Sequence, residues 1–320
     1  MREVETIIVG GGPAGSSCAW QLVRHGHPCL VLEKQPMPRP KLCAGWIPPK
    51  VLADLEILPN QYPHELLRLD RLRLVVGRTR RWSFRIRSHQ YAIHRTDFDA
   101  WLLQRSRAEV LHHTVRRIQY VEGRYILDEE FSCKNLVGAG GTSCPVRRNL
   151  FPPHQGNLIL TREAEYPAEP NCKESILWFP FAGQSGYAWY IPKRGVITIG
   201  FGGLAKEISP RSLPILWNEF IKLLEKENCW REHLPLVPRG HPYFLSPLDS
   251  VVKHHRAYLI GDAAGLATWD LAEGIGPAIE SGILAARDIL GMDTYHRNRI
   301  RRYSLGLLGR FFRWIWASLP

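Results

Sequence analysis

The stretch Val4-Glu-Thr-Ile-Ile-Val-Gly10-Gly-Gly12-Pro13-Ala14-Gly15, followed by Glu33 at the end of the next apolar run, decides the fold. Residues 4–9 read as a buried parallel strand, Pro13 to His25 as a helix, and Pro28 to Leu32 as a second strand that ends in Glu33. Gly10 permits a tight turn, Gly12 lets the backbone approach a pyrophosphate, and Gly15 lets the helix lie close to the strand. A phosphate placed there meets the free N–H groups and the positive dipole end of the helix that Pro13 and Ala14 open. Glu33 is positioned to accept hydrogen bonds from ribose hydroxyls, and its charge disfavours a 2′-phosphate. A lone GxGxxG is a weak signal, but here strand, helix and distal acid fall where a dinucleotide site requires them.

A second segment far along the chain separates the candidate dinucleotides. Ala257-Tyr-Leu-Ile-Gly261-Asp262-Ala-Ala-Gly265 reads as a strand ending in Gly-Asp, and Glu273-Gly274-Ile275-Gly276 opens another helix. A nicotinamide dehydrogenase has no need of such a block. In a flavoprotein, Asp262 accepts from the ribityl chain, and the backbone at Gly274, Ile275 and Gly276 faces the flavin pyrimidine edge from a helix start. The expected cofactor is FAD.

Between these ends, residues 34–49 are a loop rich in Pro, Lys, Arg and Gly. Residues 50–64 suggest a short helix and turn, and Leu72 to Tyr91 alternates apolar with basic residues as antiparallel strands do. Thr96 to Ala108 has helical spacing. Short strands follow up to the turn at Gly138-Ala-Gly140-Gly141, then a β-rich, aromatic stretch from Leu158 to Gly203, and an amphipathic helix from Ser212 to Glu227. The predicted organisation is α/β: a Rossmann-type FAD-binding domain from residues 1–70, 92–150 and 250–290, with an inserted antiparallel β-sheet substrate domain from 71–91 and 151–249. Residues 291–320 are expected to form a basic amphipathic C-terminal helix.

The 320 residues carry 42 Lys and Arg against 30 Asp and Glu, a net charge of +12 that attracts anionic surfaces and acidic partners. No nucleic-acid partner is expected. Seven cysteines without CxxC or metal-ligand spacing argue against a disulfide framework or a metal site and for the cytoplasm. No apolar run reaches the ~18–20 residues of a membrane span.

Taken together, Gly10-Gly-Gly-Pro-Ala-Gly15, Arg95-Thr-Asp-Phe-Asp99, Val137-Gly-Ala-Gly-Gly-Thr142 and Gly261-Asp262 follow the order seen in flavoproteins of the p-hydroxybenzoate hydroxylase fold. Lys41-Leu-Cys43-Ala44-Gly45 and Tyr187-Ala-Trp189-Tyr-Ile-Pro192 resemble the geranylgeranyl reductase subfamily, with Ala44 in place of a glycine and Gly140 in place of an acid. The resemblance implies bound FAD and reduction of isolated double bonds in isoprenoid chains. It also implies that Lys34, Lys41, Cys43 and Ala44 lie along the cofactor, that Gly140 belongs to its turn, and that Arg95 helps to neutralise its pyrophosphate. Cys43, on a loop that runs toward the flavin ring in this fold, is expected either to donate a proton to substrate or to shape the pocket. Trp46, Trp178, Phe179, Tyr187 and Trp189 supply apolar area for a substrate pocket.

No second dinucleotide fingerprint occurs, so reducing power is expected from NAD(P)H that docks transiently or from an acidic electron carrier. Two rival readings keep the flavin. One is a monooxygenase or halogenase, because Tyr187-x-Trp189-x-Ile-Pro192 approximates a WxWxIP stretch; the other is an electron relay with no organic substrate of its own. At the C-terminus, Leu308, Phe311, Phe312, Ile315, Trp316 and Leu319 share a helical face preceded by Arg297, Arg299, Arg301 and Arg302. Such a helix docks either on protein or peripherally on an anionic membrane surface.

Overall fold

A computed structural model describes residues 1–77, 81–169, 174–183, 185–230, 237–305 and 309–310. The chain opens with β1 (Arg2–Val9), α1 (Pro13–Arg24) and β2 (Cys29–Glu33), as the opening stretch dictates. After a loop come β3 (Trp46–Ile47), α2 (Pro49–Asp54), β4 (Leu66–Val76), β5 (Trp82–Ile93) and α3 (Arg95–Ser106). Next are β6 (Glu109–His112), β7 (Ile118–Val121), β8 (Arg124–Leu127), β9 (Phe131–Gly138) and α4 (Pro145–Leu150). The aromatic stretch supplies β10 (Asn157–Pro167), β11 (Ser175–Phe179), β12 (Tyr187–Lys193) and β13 (Val196–Leu204). It is followed by α5 (Leu213–Lys226), β14 (Arg239–Gly240), β15 (Tyr243–Leu245), β16 (Lys253–His254), β17 (Ala257–Leu259) and α6 (Ile275–Ile289).

Two sheets organise these elements. The first has the order β16-β17-β9-β1-β2-β6, with β17, β9, β1, β2 and β6 parallel, and β8 and β7 added antiparallel beside β9. Its central strands are buried and apolar, as parallel strands covered on both faces must be. The register aligns Val9 with Leu32 and with Gly138, and Gly138 with Leu259. The turns after β1, β9 and β17 therefore open side by side at the carboxyl edge of the sheet, where open α/β sheets bind ligands. Helix α6 lies against α1 so closely that a side chain at Gly282 would run into the carbonyl of Ala14.

The second sheet runs β14-β10-β13-β12-β11-β4-β5-β3. One face packs under α5, burying Trp178, Tyr190, Phe201, Trp217 and Phe220. The other carries Leu177, Phe179, Trp189 and Ile191 and packs with Trp46 of β3 and with Ala44 and Leu271 from loops outside the sheet. This sheet starts earlier than the predicted insertion: β4 begins at Leu66, β5 ends at Ile93, and Trp46–Ile47 joins it too. A two-residue strand has no period to read, and Leu66-Leu67 resembles a helix tail.

The region after α6 departs further from expectation. Residues 291–305 form turns and a short 3₁₀ segment at Arg297–Arg299 docked on the protein, with Arg297 only 3% exposed. Arg299 pairs with Asp293, the Trp269 N–H donates to Arg302 O, and the backbone N–H groups of Ser304 and Leu305 donate to Asp270. The apolar face from Leu308 to Leu319 lies outside the described residues. Among the described residues no helix is long and apolar enough to cross a membrane, no metal-ligating cluster occurs, and six cysteines are free.

Candidate functional site

The glycine turn after β1 has the shape its sequence demands. Gly10 has φ +109°, and a Cβ there would lie 2.5 Å from Ala139 O, so the β9 turn passes directly behind it. A side chain at Gly15 would run into the Gly10 carbonyl. Gly12 is the opposite case: the nearest atom to an added Cβ is Arg39 Nη2 at 3.7 Å, so the space over it is clear. No side chain caps α1, and Pro13 has no N–H to satisfy, which leaves the helix start open to an anion.

Arg39 stands over this opening. Its side chain is 17% exposed, 3.9 Å from Glu33 Oε1 and 3.9 Å from Asp99 Oδ2, and its Nε is buried without a hydrogen-bond partner. An orphaned guanidinium donor beside an uncapped helix start fits a pyrophosphate. Glu33 is buried; it accepts from the Gly11 N–H at 2.6 Å and the Gln35 N–H at 3.1 Å, one on each oxygen. Each oxygen keeps a lone pair for a ribose hydroxyl. Lys34, next in the chain, is exposed.

Arg95 is engaged within the protein. It is buried at the start of α3, and its Nε and Nη2 both donate at 2.8 Å to Asp99, one turn on. Burial works against its charge, but Asp99 and Cys43 more than compensate and hold it protonated. Arg39, rather than Arg95, therefore faces the glycine turn. Cys43 is half-buried beside Arg95, packed against the cluster that contains Ile47, Ile93 and Phe98.

Lys41 and Asp262 converge on a residue that the sequence did not single out. Lys41 Nζ lies 3.2 Å from His241 Nε2, which is 3.9 Å from Asp262 Oδ2. Burial lowers the Lys41 ammonium, helped by Arg95 and opposed by Asp262. Burial also works against the Asp262 carboxylate, yet His241, Lys41 and Arg95 hold it below the usual range. Gly261 places Asp262 at the end of β17, with Gly274 opposite: a Cβ there would lie 3.4 Å from Asp262 Oδ1. At the start of α6, beside Ile275, the Gly276 N–H donates to Glu273 Oε1 at 2.5 Å. Gly140 lies in the adjoining turn after β9, where an added Cβ would lie 3.2 Å from Cys144 Cα.

Four of the five predicted pocket aromatics come together. Trp46, Phe179, Tyr187 and Trp189 share one cluster with Ala44 and Leu271; Phe179 stacks on Tyr187 at 5.0 Å, and the Tyr187 hydroxyl donates to Leu271 O. The Trp46 and Trp189 Nε1 donors are buried without partners. Trp178 is a correction. It lies on the opposite face of the sheet, edge-on to Phe220 of α5 at 5.9 Å, because adjacent strand residues point to opposite sides and Phe179 takes the face of Tyr187 and Trp189. Besides Arg39 and His241, sequence reasoning missed Glu163, a buried acid on β10. None of the three stands in a recognisable motif.

Residues 8–40 match the NAD(P)-binding Rossmann-like domain family. The chain is 27% identical over 305 residues to a geranylgeranyl diphosphate reductase of Rhodobacter capsulatus, covering 88% of this chain and 74% of the relative. Its fold matches that of a geranylgeranyl bacteriochlorophyll reductase-like protein of Thermoplasma acidophilum with a TM-score of 0.76 at 19% identity, over 98% of this chain and 84% of that one. A flavin-dependent brominase matches with a TM-score of 0.74 at 17% identity, over 99% of this chain and 88% of its own. The architecture is thus the p-hydroxybenzoate hydroxylase-like flavoprotein fold, and in sequence the chain is similar to the geranylgeranyl reductases.

Proposed function

We propose that this chain is an FAD-dependent oxidoreductase that reduces carbon–carbon double bonds of an apolar, isoprenoid-like substrate. The observation that carries the reading is the meeting of three features: the uncapped phosphate cradle under Arg39, the Asp262 turn beside the α6 start, and the wall of Trp46, Phe179, Tyr187 and Trp189 facing them. Bound FAD, once reduced, supplies hydride. The protein's part is to hold the ADP half on Gly10, Gly12, Gly15 and Glu33, to fix the ribityl chain through Asp262, and to keep water from the reacting double bond with the aromatic wall.

Cys43 closes the pocket from the loop side, and its packing against Ile47 and Ile93 beside Arg95 favours pocket shaping over proton donation. Cys43→Ser is expected to retain flavin and to slow turnover roughly tenfold, about 1.4 kcal/mol of transition-state stabilisation. Loss of flavin in that variant would make Cys43 a structural residue. Reducing equivalents come from NAD(P)H or from an acidic carrier drawn by the +12 charge.

Anaerobic mixing of the reduced protein with an unsaturated isoprenoid lipid tests the reading. Flavin reoxidation with gain of two hydrogens by the lipid is the expected result. Oxygen consumption stoichiometric with substrate would instead identify a monooxygenase or halogenase, the chemistry named for the brominase of similar fold. Turnover of a dye with no effect of any lipid would identify an electron relay.

The protein works in the cytoplasm, and its basic surface meets an anionic membrane where such lipids reside. Pelleting with anionic liposomes at low salt, reversed at high salt as screening shortens the electrostatic range to a few ångströms, is the expected behaviour. Equal recovery in the supernatant with and without liposomes would exclude it.

A further inference from the structure

In the second sheet, Leu177, Trp189, Gly200 and Glu163 stand in one row across β11, β12, β13 and β10. Residues paired across neighbouring strands share a face. A Cβ built on Gly200 would lie 2.5 Å from Trp189 Cζ2 and 2.7 Å from Glu163 Cβ, so the indole and the carboxyl side chain flank the same glycine. Trp189 belongs to the aromatic wall, and Glu163 therefore stands on the cofactor side of the sheet.

Glu163 is 4% exposed, and among the described residues no hydrogen bond reaches its carboxyl. Its neighbour Glu165 is satisfied: Lys193 Nζ donates to it at 2.5 Å and Thr198 Oγ1 at 3.0 Å. The lysine that could have paired with Glu163 is thus already engaged. A buried acid without a hydrogen-bond partner, on the sheet face that carries the aromatic wall, is costly unless it has a use.

The groups around it come from every packed element. Lys193 and Glu165 face it from the sheet, Lys41 from the loop before β3, and Arg95 from α3. Tyr187 and Tyr243 each sense both Glu163 and Cys43, and Arg239 of β14 pairs with its backbone position but is exposed. Burial dominates this balance and, with Glu165, outweighs Lys193, Lys41 and Arg95, pushing the Glu163 carboxyl up to about 7. Toward solvent, Lys41 reaches His241, whose side chain is 34% exposed.

We propose that Glu163 is the proton source of this site, a buried acid that supplies the proton taken up at the reacting double bond and is recharged from solvent through His241 and Lys41. The proposal rests on the reductase reading. In the balance, hydride brings its electron pair to one carbon, the π pair of the double bond takes a proton at the other, and the Glu163 O–H bond breaks to leave a carboxylate. One proton from solvent then restores the acid, so each turnover consumes one hydride and one proton.

Two readouts test this on the flavin-loaded protein. The infrared carbonyl stretch of protonated carboxyl should fade as pH rises through about 7 in the wild type, and the difference spectrum between wild type and Glu163→Gln should isolate the Glu163 share from that of Glu273, which burial also pushes up to about 7. In the anaerobic mixing assay, Glu163→Gln should slow lipid-dependent reoxidation by roughly 100-fold, the range of a lost general acid, and flatten its pH profile. Glu163→Asp, which keeps the acid one methylene back, should retain the band and lose less. A wild type that leaves the lipid unreduced overturns the reductase reading and this proposal with it. Lipid reduction in which Glu163→Gln matches the wild type, or the absence of any Glu163-dependent band, overturns the proton source alone.

Discussion

Gly12→Val is expected to give a folded protein that no longer holds flavin. The backbone at Gly12 has φ −74° and ψ −174°, an extended conformation that valine adopts freely, so the substitution stores no strain. An added Cβ meets only Arg39 Nη2, at 3.7 Å. The two γ-methyls would instead fill the clear space over the α1 start, where a pyrophosphate needs the backbone N–H groups. Loss of that approach should weaken cofactor binding by at least ~100-fold, about 2.7 kcal/mol. The checks are flavin absorbance after purification and after incubation with added FAD, alongside an unchanged far-ultraviolet dichroism spectrum. Gly15→Val is the contrasting control. Its side chain collides with the Gly10 carbonyl, so it should fail to fold rather than merely lose colour. A yellow Gly12→Val protein would place the pyrophosphate elsewhere.

How far the sequence could carry this picture depended on the kind of signal at each residue. The β1–α1–β2 unit was legible because strand, glycine turn, helix and acid are consecutive, and each needs particular residue types. Gly261-Asp262 and the α6 start were legible for the same reason. Tyr187 and Trp189, two apart on a strand, had to share a face, and they do. Trp178 and Phe179 are adjacent and had to point apart, but β11 is buried on both sides, so no polar alternation revealed which of them faced the cofactor. The loop from 34 to 45 has no period at all, which hid Arg39 while Arg95 stood next to a recognisable helix. Glu163 was invisible for a related reason: a single acid on a β-rich stretch reads as surface until the register places it beside Gly200 and Trp189. Basic runs are ordinarily solvated, and that habit failed at Arg297, which is nearly sealed in the protein. The domain insertion follows the same pattern, since strand edges at Leu66 and Trp46 depend on partners distant in sequence.

Replacing Asp99 by asparagine should destabilise the folded protein strongly without preventing it from folding. The Asp99 side chain is fully buried, and its two oxygens take both 2.8 Å hydrogen bonds from Arg95. Asparagine keeps the shape and removes the charge, so the guanidinium stays buried with no counterion. It would also face two more cations, because Arg39 Nη2 lies 3.9 Å from Asp99 and the charge on Arg95 already disfavours that on Lys41. Breaking a buried pair by removing one partner costs about 3–5 kcal/mol. For a chain of this size that corresponds to a fall in Tm on the order of 10 °C. The paired change Arg95→Met with Asp99→Leu removes both charges together and should recover most of the loss, since a buried pair exchanged for apolar residues of similar volume is close to neutral. Adding FAD should also narrow the gap for Asp99→Asn, because a bound pyrophosphate brings negative charge to the Arg39 side of the cluster. Calorimetry on the three proteins, with and without FAD, reads all of these effects. If Asp99→Asn melts with the wild type, the pair contributes nothing to the fold, and Arg95 is free to serve the cofactor as the sequence first suggested.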